Sequence, residues 1–250
     1  MSLVRSERDG TVVHLTLERA DKLNALSADL VEELLGHVEQ AYADATDVVV
    51  FRGAGTSFSA GFDLSGLDSQ TDGQLLHRFV RIETLLQRVH SAPFATLALA
   101  HGRVFGAGAD LVCACSHRVA APDTRFRLPG LGFGIVLGTR RLAARVGADC
   151  AREIQAGGRT INAEEADRIG LAATVEEDHW PAVLAAVVDQ AQLTVPSSRG
   201  IFHRTLADAQ SDPDRDLADL VRSAAEPGLV DRIRAYAARN AAARATPVSH

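Results

Sequence analysis

Two strand-to-loop junctions carry the residues best suited to chemistry. The first reads Val48-Val-Val-Phe-Arg-Gly-Ala-Gly-Thr-Ser-Phe-Ser-Ala-Gly-Phe-Asp-Leu64, the second Ala98-Leu-Ala-His-Gly-Arg-Val-Phe-Gly-Ala-Gly-Ala-Asp-Leu111. Each sets small residues just after an apolar run, so a ligand can come close to the backbone. Ala107 and Gly108 fall at the start of a helix, where amide N–H groups have no partner inside the helix. Those groups and the helix dipole favour negative charge. One amide from each junction, converging on one oxygen, would make an oxyanion hole, worth roughly 3 kcal/mol per donor in other enzymes. Asp110 adds a carboxyl in the first helical turn; the dipole alone also favours an acid there. Taken singly, each glycine turn also reads as simple architecture.

Other chemistries lack their residues. Phe58 stands where a dinucleotide fingerprint starting at Gly53 needs glycine, and Leu111 where one starting at Gly106 needs it. There is no Gly-Lys-Ser/Thr phosphate loop, no Gly-x-Ser-x-Gly elbow, no His-Glu-x-x-His and no paired Cys-x-x-Cys. No metal is expected. Cys113 and Cys115 lie within an apolar helical run, which reads as packing.

The elements that position these junctions follow from periodicity. Residues 3–8 and 11–17 read as a hairpin about Asp9-Gly10. Ser27 can cap a helix over 28–43, with Leu30, Val31, Leu34, Leu35, Val38 and Tyr42 on one face. The continuous apolar runs 48–51 and 95–100 predict strands covered on both sides. An amphipathic helix spans 72–90. Gly102 to Gly108 reads as a turn leading into a helix that ends near Cys115. Short strands follow near 117–120 and 124–127, then a loop with four glycines from Gly130 to Gly138. Helices are expected at 139–146, 148–156 and 163–168, and a strand at 171–176. From about 178 the chain reads as helical, punctuated by Pro196, Pro213 and Pro227, with an Ala-rich tail after Asn240 expected to fray. The pattern predicts an α/β core over 1–195 and a helical C-terminal section over 196–250.

The chain has 250 residues, 46% hydrophobic and 23% charged, enough to bury a core without staples. Its net charge is −6 and Lys22 is its only lysine. With no dense basic run, nucleic acid is not an expected partner. No apolar stretch suits a membrane span or a signal segment, and three cysteines fit a reducing compartment. These features together predict a cytoplasmic protein.

Taken as a pair, the junctions resemble the enoyl-CoA hydratase/isomerase (crotonase) family. Residues 53–64 are similar to its Gly-x-Gly-x-x-Phe-(Cys/Ser)-Ala-Gly-x-Asp-Leu signature. Residues 102–111 are similar to Gly-x-x-x-Gly-Gly-Gly-x-(Glu/Asp)-Leu, with Ala107 for the middle glycine. Lys22-Leu-Asn-Ala-Leu26, Arg118-Val-Ala-Ala-Pro-Asp123 and Gly170-Leu-Ala-Ala-Thr-Val175 also resemble family elements. The resemblance implies a crotonase-like spiral of strand-strand-helix units. The C-terminal helical section would serve trimerisation, giving homotrimers or hexamers. The substrate would be an acyl-CoA thioester, so coenzyme A enters as part of the substrate and no separate cofactor is needed. By position, the amides of Ala60 and Ala107 would grip the thioester oxygen and stabilise an enolate. Phe58, Ala60, Asp63 and Leu64 would lie along the adenine and pantetheine. Lys22 would sit near the CoA phosphates, or else be a solvated surface lysine. Asp110 matches one of the two hydratase glutamates and Gly130 falls at the other. The following loop is about three residues shorter than the family's. The tail carries Ala235-Tyr-Ala-Ala-Arg-Asn-Ala-Ala-Ala-Arg244 in place of an aromatic followed by paired basic residues. One carboxyl suits double-bond isomerisation, decarboxylation, thioester cleavage or weak hydration. A non-catalytic acyl-CoA carrier or regulator is the alternative.

Overall fold

The computed structural model describes residues 2–245. Its main sheet has six strands: β1 (Val4–Asp9), β2 (Val12–Leu17), β3 (Val48–Gly53), β4 (Ala95–Ala100), β6 (His117–Ala120) and β9 (Ala173–Thr174), in the spatial order β1-β2-β3-β4-β6-β9. The β1–β2 hairpin is antiparallel; every other neighbour in this sheet is parallel. A second sheet holds β5 (Arg103–Phe105), β7 (Arg125–Arg127) and β8 (Thr160–Asn162) in the order β5-β7-β8.

The central strands sort their side chains with period two. Val49, Phe51, Ala98 and Ala100 join the large cluster formed with α1 (Ala28–Ala43), α2 (Asp72–His90) and α3 (Ala107–Ala114). Val48, Val50, Leu97 and Leu99 face the other way, against Trp180 and Val187 of α7 (Trp180–Gln192). Both faces are covered, as the continuous apolar runs predicted. Local signals fix the helix starts. Ser27 accepts a hydrogen bond from the Leu30 amide, and Thr71 with Gln74 forms a capping box for α2.

The structure corrects several expectations. Residues 103–105 are a strand rather than open turn, because β7 supplies a parallel partner. Residues 160–162 form β8, which pairs antiparallel with β7; three residues are too short to announce themselves by periodicity. The strand expected over 171–176 is paired only at Ala173–Thr174. The glycine loop contains a 3-10 turn over Gly130–Phe133. Helices α4 (Thr139–Val146), α5 (Ala148–Gly157) and α6 (Ala163–Arg168) lie where expected. Pro196 and Pro213 sit at the first turns of α8 (Pro196–Asp208) and α9 (Pro213–Ala224). The last helix, α10 (Leu229–Ala245), runs through part of the tail expected to fray; the rest of that tail lies outside the described residues. Leu220, Leu229 and Ile233 of this helical section are buried in the main core.

Candidate functional site

The two glycine junctions are stitched together by main-chain bonds. Phe58 N–H donates to His101 C=O at 2.9 Å, Ser59 N–H to Arg103 C=O at 3.1 Å, and Phe105 N–H to Ser59 C=O at 2.9 Å. Asn24, fully buried, locks the first junction from behind. Its side-chain amide donates to the carbonyls of Ala54 (2.8 Å) and Ser57 (2.7 Å), and its Oδ1 accepts from Arg19 N–H. Gly61 is held at φ +85° against the second junction. A β-carbon there would collide with the Phe105 carbonyl and stand 3.2 Å from the Ala107 nitrogen. Only glycine meets both demands.

Between the junctions and α10 lies a cavity of about 270 Å³. Ala60, Phe62, Leu64, Ala107, Asp110 and Gly130 all line it. Rings form one wall: Phe62 stacks on Phe79 (centroids 4.3 Å), Phe79 lies 6.5 Å from Phe133, and Phe133 lies 5.1 Å from Tyr236 of α10. Tyr236, Ala237, Asn240 and Ala241 show that this chain's own last helix covers the cavity.

The placement of the expected site residues is mixed. Ala107 opens α3, and its amide has no acceptor among the described residues. Ala60 lines the cavity, but its N–H donates to Leu23 C=O at 2.8 Å. That carbonyl is turned toward Ala60 where Leu23 and Asn24 both adopt positive φ, 50° and 53°. The Ala60 amide is therefore not a free donor, which corrects the expectation at this position. Two residues on, the Phe62 N–H has no acceptor among the described residues. Sequence reasoning missed it; the sharp turn implied by Gly61 was the available signal. Phe58 is fully enclosed in the core and offers no surface to a ligand, a second correction. Asp63 is buried with its carboxyl already engaged, 2.6 Å from Arg19 and accepting from Ser65 N–H at 2.8 Å. Burial would push that carboxyl up, but Ser65 and Arg19 outweigh it and hold it below the usual range. Leu64 is partly exposed at the cavity's edge. Lys22 is exposed on a short 3-10 turn (Ala20–Lys22) beside the first junction, outside the cavity lining.

Asp110 is the cavity's carboxyl. It is buried, and its Oδ1 has no hydrogen-bond partner among the described residues. Gly138, at φ +64°, leaves the space this oxygen occupies; a β-carbon would overlap it. Burial drives the Asp110 pKa well above the ordinary carboxylate range; Arg141 opposes this and Glu83 adds to it. Behind it Arg141 and Glu83, both essentially unexposed, form a bidentate pair at 2.6 and 3.0 Å, and Arg141 also reaches Asp216 at 3.3 Å. The periodicity of α2 and α4 did not expose this pair, because a charge on a buried face breaks the pattern. Gly130 lines the cavity as expected but brings no proton-transferring group. Among the described residues no group of three His, Cys, Asp or Glu stands together for a metal.

Facing junctions, a spiral of strand-strand-helix units and a covering C-terminal helix define the crotonase architecture. A crystal structure from Bordetella parapertussis, described provisionally as an enoyl-CoA hydratase/isomerase, superposes with a TM-score of 0.91 at 46% identity, covering 98% of this chain and 99% of that one. The profile of the enoyl-CoA hydratase/isomerase family matches residues 7–212. A probable enoyl-CoA hydratase of Bacillus subtilis is 35% identical over 176 residues, 68% of this chain and 66% of that protein. A short-chain-enoyl-CoA hydratase of Clostridium acetobutylicum is 29% identical over 224 residues, 85% of this chain and 84% of that protein. The chain belongs to the enoyl-CoA hydratase/isomerase family.

Proposed function

We propose that this protein is an acyl-CoA thioester enzyme that stabilises a thioester enolate between the amides of Phe62 and Ala107. The observation that carries this reading is the pair of unaccepted N–H groups on facing junctions, beside a buried carboxyl in one cavity. Two such donors stabilise charge as it develops on the thioester oxygen. In decarboxylation, loss of CO2 leaves the bonding pair on the α-carbon as the enolate, and Asp110 in its protonated form gives that carbon its proton; in double-bond isomerisation, Asp110 as the carboxylate takes the α-proton and returns it to the γ-carbon. Hydration by two carboxylates lacks its second partner, because Gly130 occupies that place. Isomerisation, decarboxylation or thioester cleavage remains within reach of one carboxyl. Leu64 edges the path of the pantetheine, and Lys22 stands outside the cavity, where the CoA phosphates would emerge.

Gly130 also favours a second reading, in which the protein holds acyl-CoA without chemistry. Exposed Ile201, Phe202 and Leu206 on α8, with Leu193 and Val195 before it, support association into a homotrimer or hexamer. Among the described residues no helix is long and apolar enough to cross a membrane. Three free thiols support a cytoplasmic setting.

The test is incubation with crotonyl-CoA and a panel of saturated, unsaturated and β-carboxylated acyl-CoA thioesters, read by mass spectrometry. Product from at least one thioester is expected. Asp110→Asn should reduce its turnover roughly 100-fold while acyl-CoA binding persists. Binding with no product from any thioester identifies the carrier, and no binding at all overturns both readings.

A further inference from the structure

The cavity has a polar end that the proposed chemistry does not use. Arg127, Gln155 and Asn240 all line it. They come from β7, α5 and α10, three elements far apart in sequence. The ring wall starts at Phe62, beside the proposed oxyanion hole, and finishes at Tyr236. Asn240 lies one helical turn beyond Tyr236, and its Oδ1 accepts from Arg127 Nη2 at 3.4 Å. The guanidinium thus adjoins the Tyr236 end of the wall through Asn240, while the Arg127 main chain is tied to the second junction, its C=O accepting from Gly106 N–H at 2.7 Å.

Arg141 and Arg140 are paired with carboxylates. Like Arg118 and Arg145, whose guanidiniums donate to main-chain carbonyls, half-buried Arg127 has no carboxylate partner among the described residues, but of these three it alone lines the cavity. Its Nε caps α5 by donating to Gly158 C=O at 2.9 Å, and its Nη1 has no acceptor among the described residues. Gln155 is nine-tenths buried, and its side-chain amide has no partner among the described residues. An anionic acceptor arriving there gains charge-assisted hydrogen bonds from the guanidinium and a further one from the Gln155 amide. Asn240 Nδ2 is spent on Tyr236 C=O, which leaves its Oδ1 to orient the guanidinium. Among the lining residues, Arg127 is the one basic side chain.

We propose that Arg127 and Gln155, with Asn240 orienting the guanidinium, form a subsite for a carboxylate at the far end of the acyl chain. The preferred thioesters are then ω-carboxylated acyl-CoAs rather than plain fatty acyl-CoAs. Guanidinium and side-chain amide donors suit a planar carboxylate, and the aromatic wall suits the methylenes between the two ends. The inference rests on the acyl-CoA reading and deepens it.

The test uses matched pairs that differ only at the end of the chain: succinyl- with butyryl-CoA, glutaryl- with pentanoyl-CoA, and adipoyl- with hexanoyl-CoA. Affinities are measured by titration calorimetry on the whole protein. At the chain length that fits, the carboxylated member should bind roughly tenfold more tightly. Arg127→Met should bring that ratio to about one while the methyl-ended partner keeps its affinity, and Arg127→Lys should retain part of it. If Arg127→Met fails to fold through loss of the α5 cap, Gln155→Leu leaves the cap intact and should lower the ratio about threefold. Equal or weaker binding of the carboxylated member at every length overturns the subsite, as does a ratio unmoved by these variants. Failure of both members to bind at every length overturns the acyl-CoA reading itself.

Discussion

The main-chain and side-chain groups of the cavity are built on different principles. The junction side offers backbone amides, fixed by main-chain bonds between residues 57–59 and 101–105 and by the buried Asn24 latch. The proton-transfer positions rely on side chains: Asp110, one turn into α3 from Ala107, and position 130, where Gly130 stands in place of a second acid. A backbone donor survives side-chain replacement, as Ala107 illustrates by standing where the signature carries glycine. A side-chain donor does not survive, and position 130 illustrates that. In the proposed reaction, polarisation is thus a property of the fold, whereas the fate of the enolate would depend on one or two replaceable groups.

Removing an amide would break the comparison most sharply. Ala107 is the first residue of α3, where proline is tolerated because that N–H has no helical partner. Ala107→Pro should therefore fold, yet lower kcat by roughly 10²–10³-fold with acyl-CoA affinity little changed. Steady-state kinetics beside calorimetric binding would check this, and an equal loss in both would remove the amide from catalysis. Next comes the support behind Asp110. Glu83→Gln strips Arg141 of its main counter-charge and should cost about 3 kcal/mol in denaturant unfolding. It also removes a negative neighbour that raises the Asp110 pKa, so the alkaline limb of kcat/KM should move to lower pH. The smallest effect is on stability alone. The folded Asp110 pKa lies above its unfolded value, so nothing is lost while both states are protonated. As pH rises past the ordinary carboxylate range, the unfolded chain ionises first and stability falls until the folded pKa is passed. Asp110→Asn abolishes this loss. Its Tm should match the parent near pH 3.5 and exceed it at pH 7 by about 2–4 °C per kcal/mol relieved. A constant difference across that range would contradict the raised Asp110 pKa.

Much of this layout was legible because it rests on local pattern. The doubly covered strands show as unbroken apolar runs, the helices as 3.6-residue stripes with caps, and the junctions as small residues after strands. Two kinds of fact stayed hidden. The free donor lies at Phe62 rather than Ala60, because the left-handed turn at Leu23–Asn24 aims a carbonyl at Ala60, and a signature does not reveal which amides the chain consumes itself. The Arg141–Glu83 pair and the Arg127–Gln155–Asn240 group unite residues from separate elements. Only the folded chain makes those polar positions neighbours.

The placement of the indole has a practical consequence. Trp180, the sole tryptophan, packs across the sheet in the cluster that does not touch the cavity, and its Nε1 donates to Val175 C=O. Its emission should track global melting yet stay silent as the cavity fills. Tyr236, one of two tyrosines, terminates the ring wall and is the natural place for an optical occupancy signal. The molecule therefore carries an internal standard and a sensor on opposite faces of one sheet.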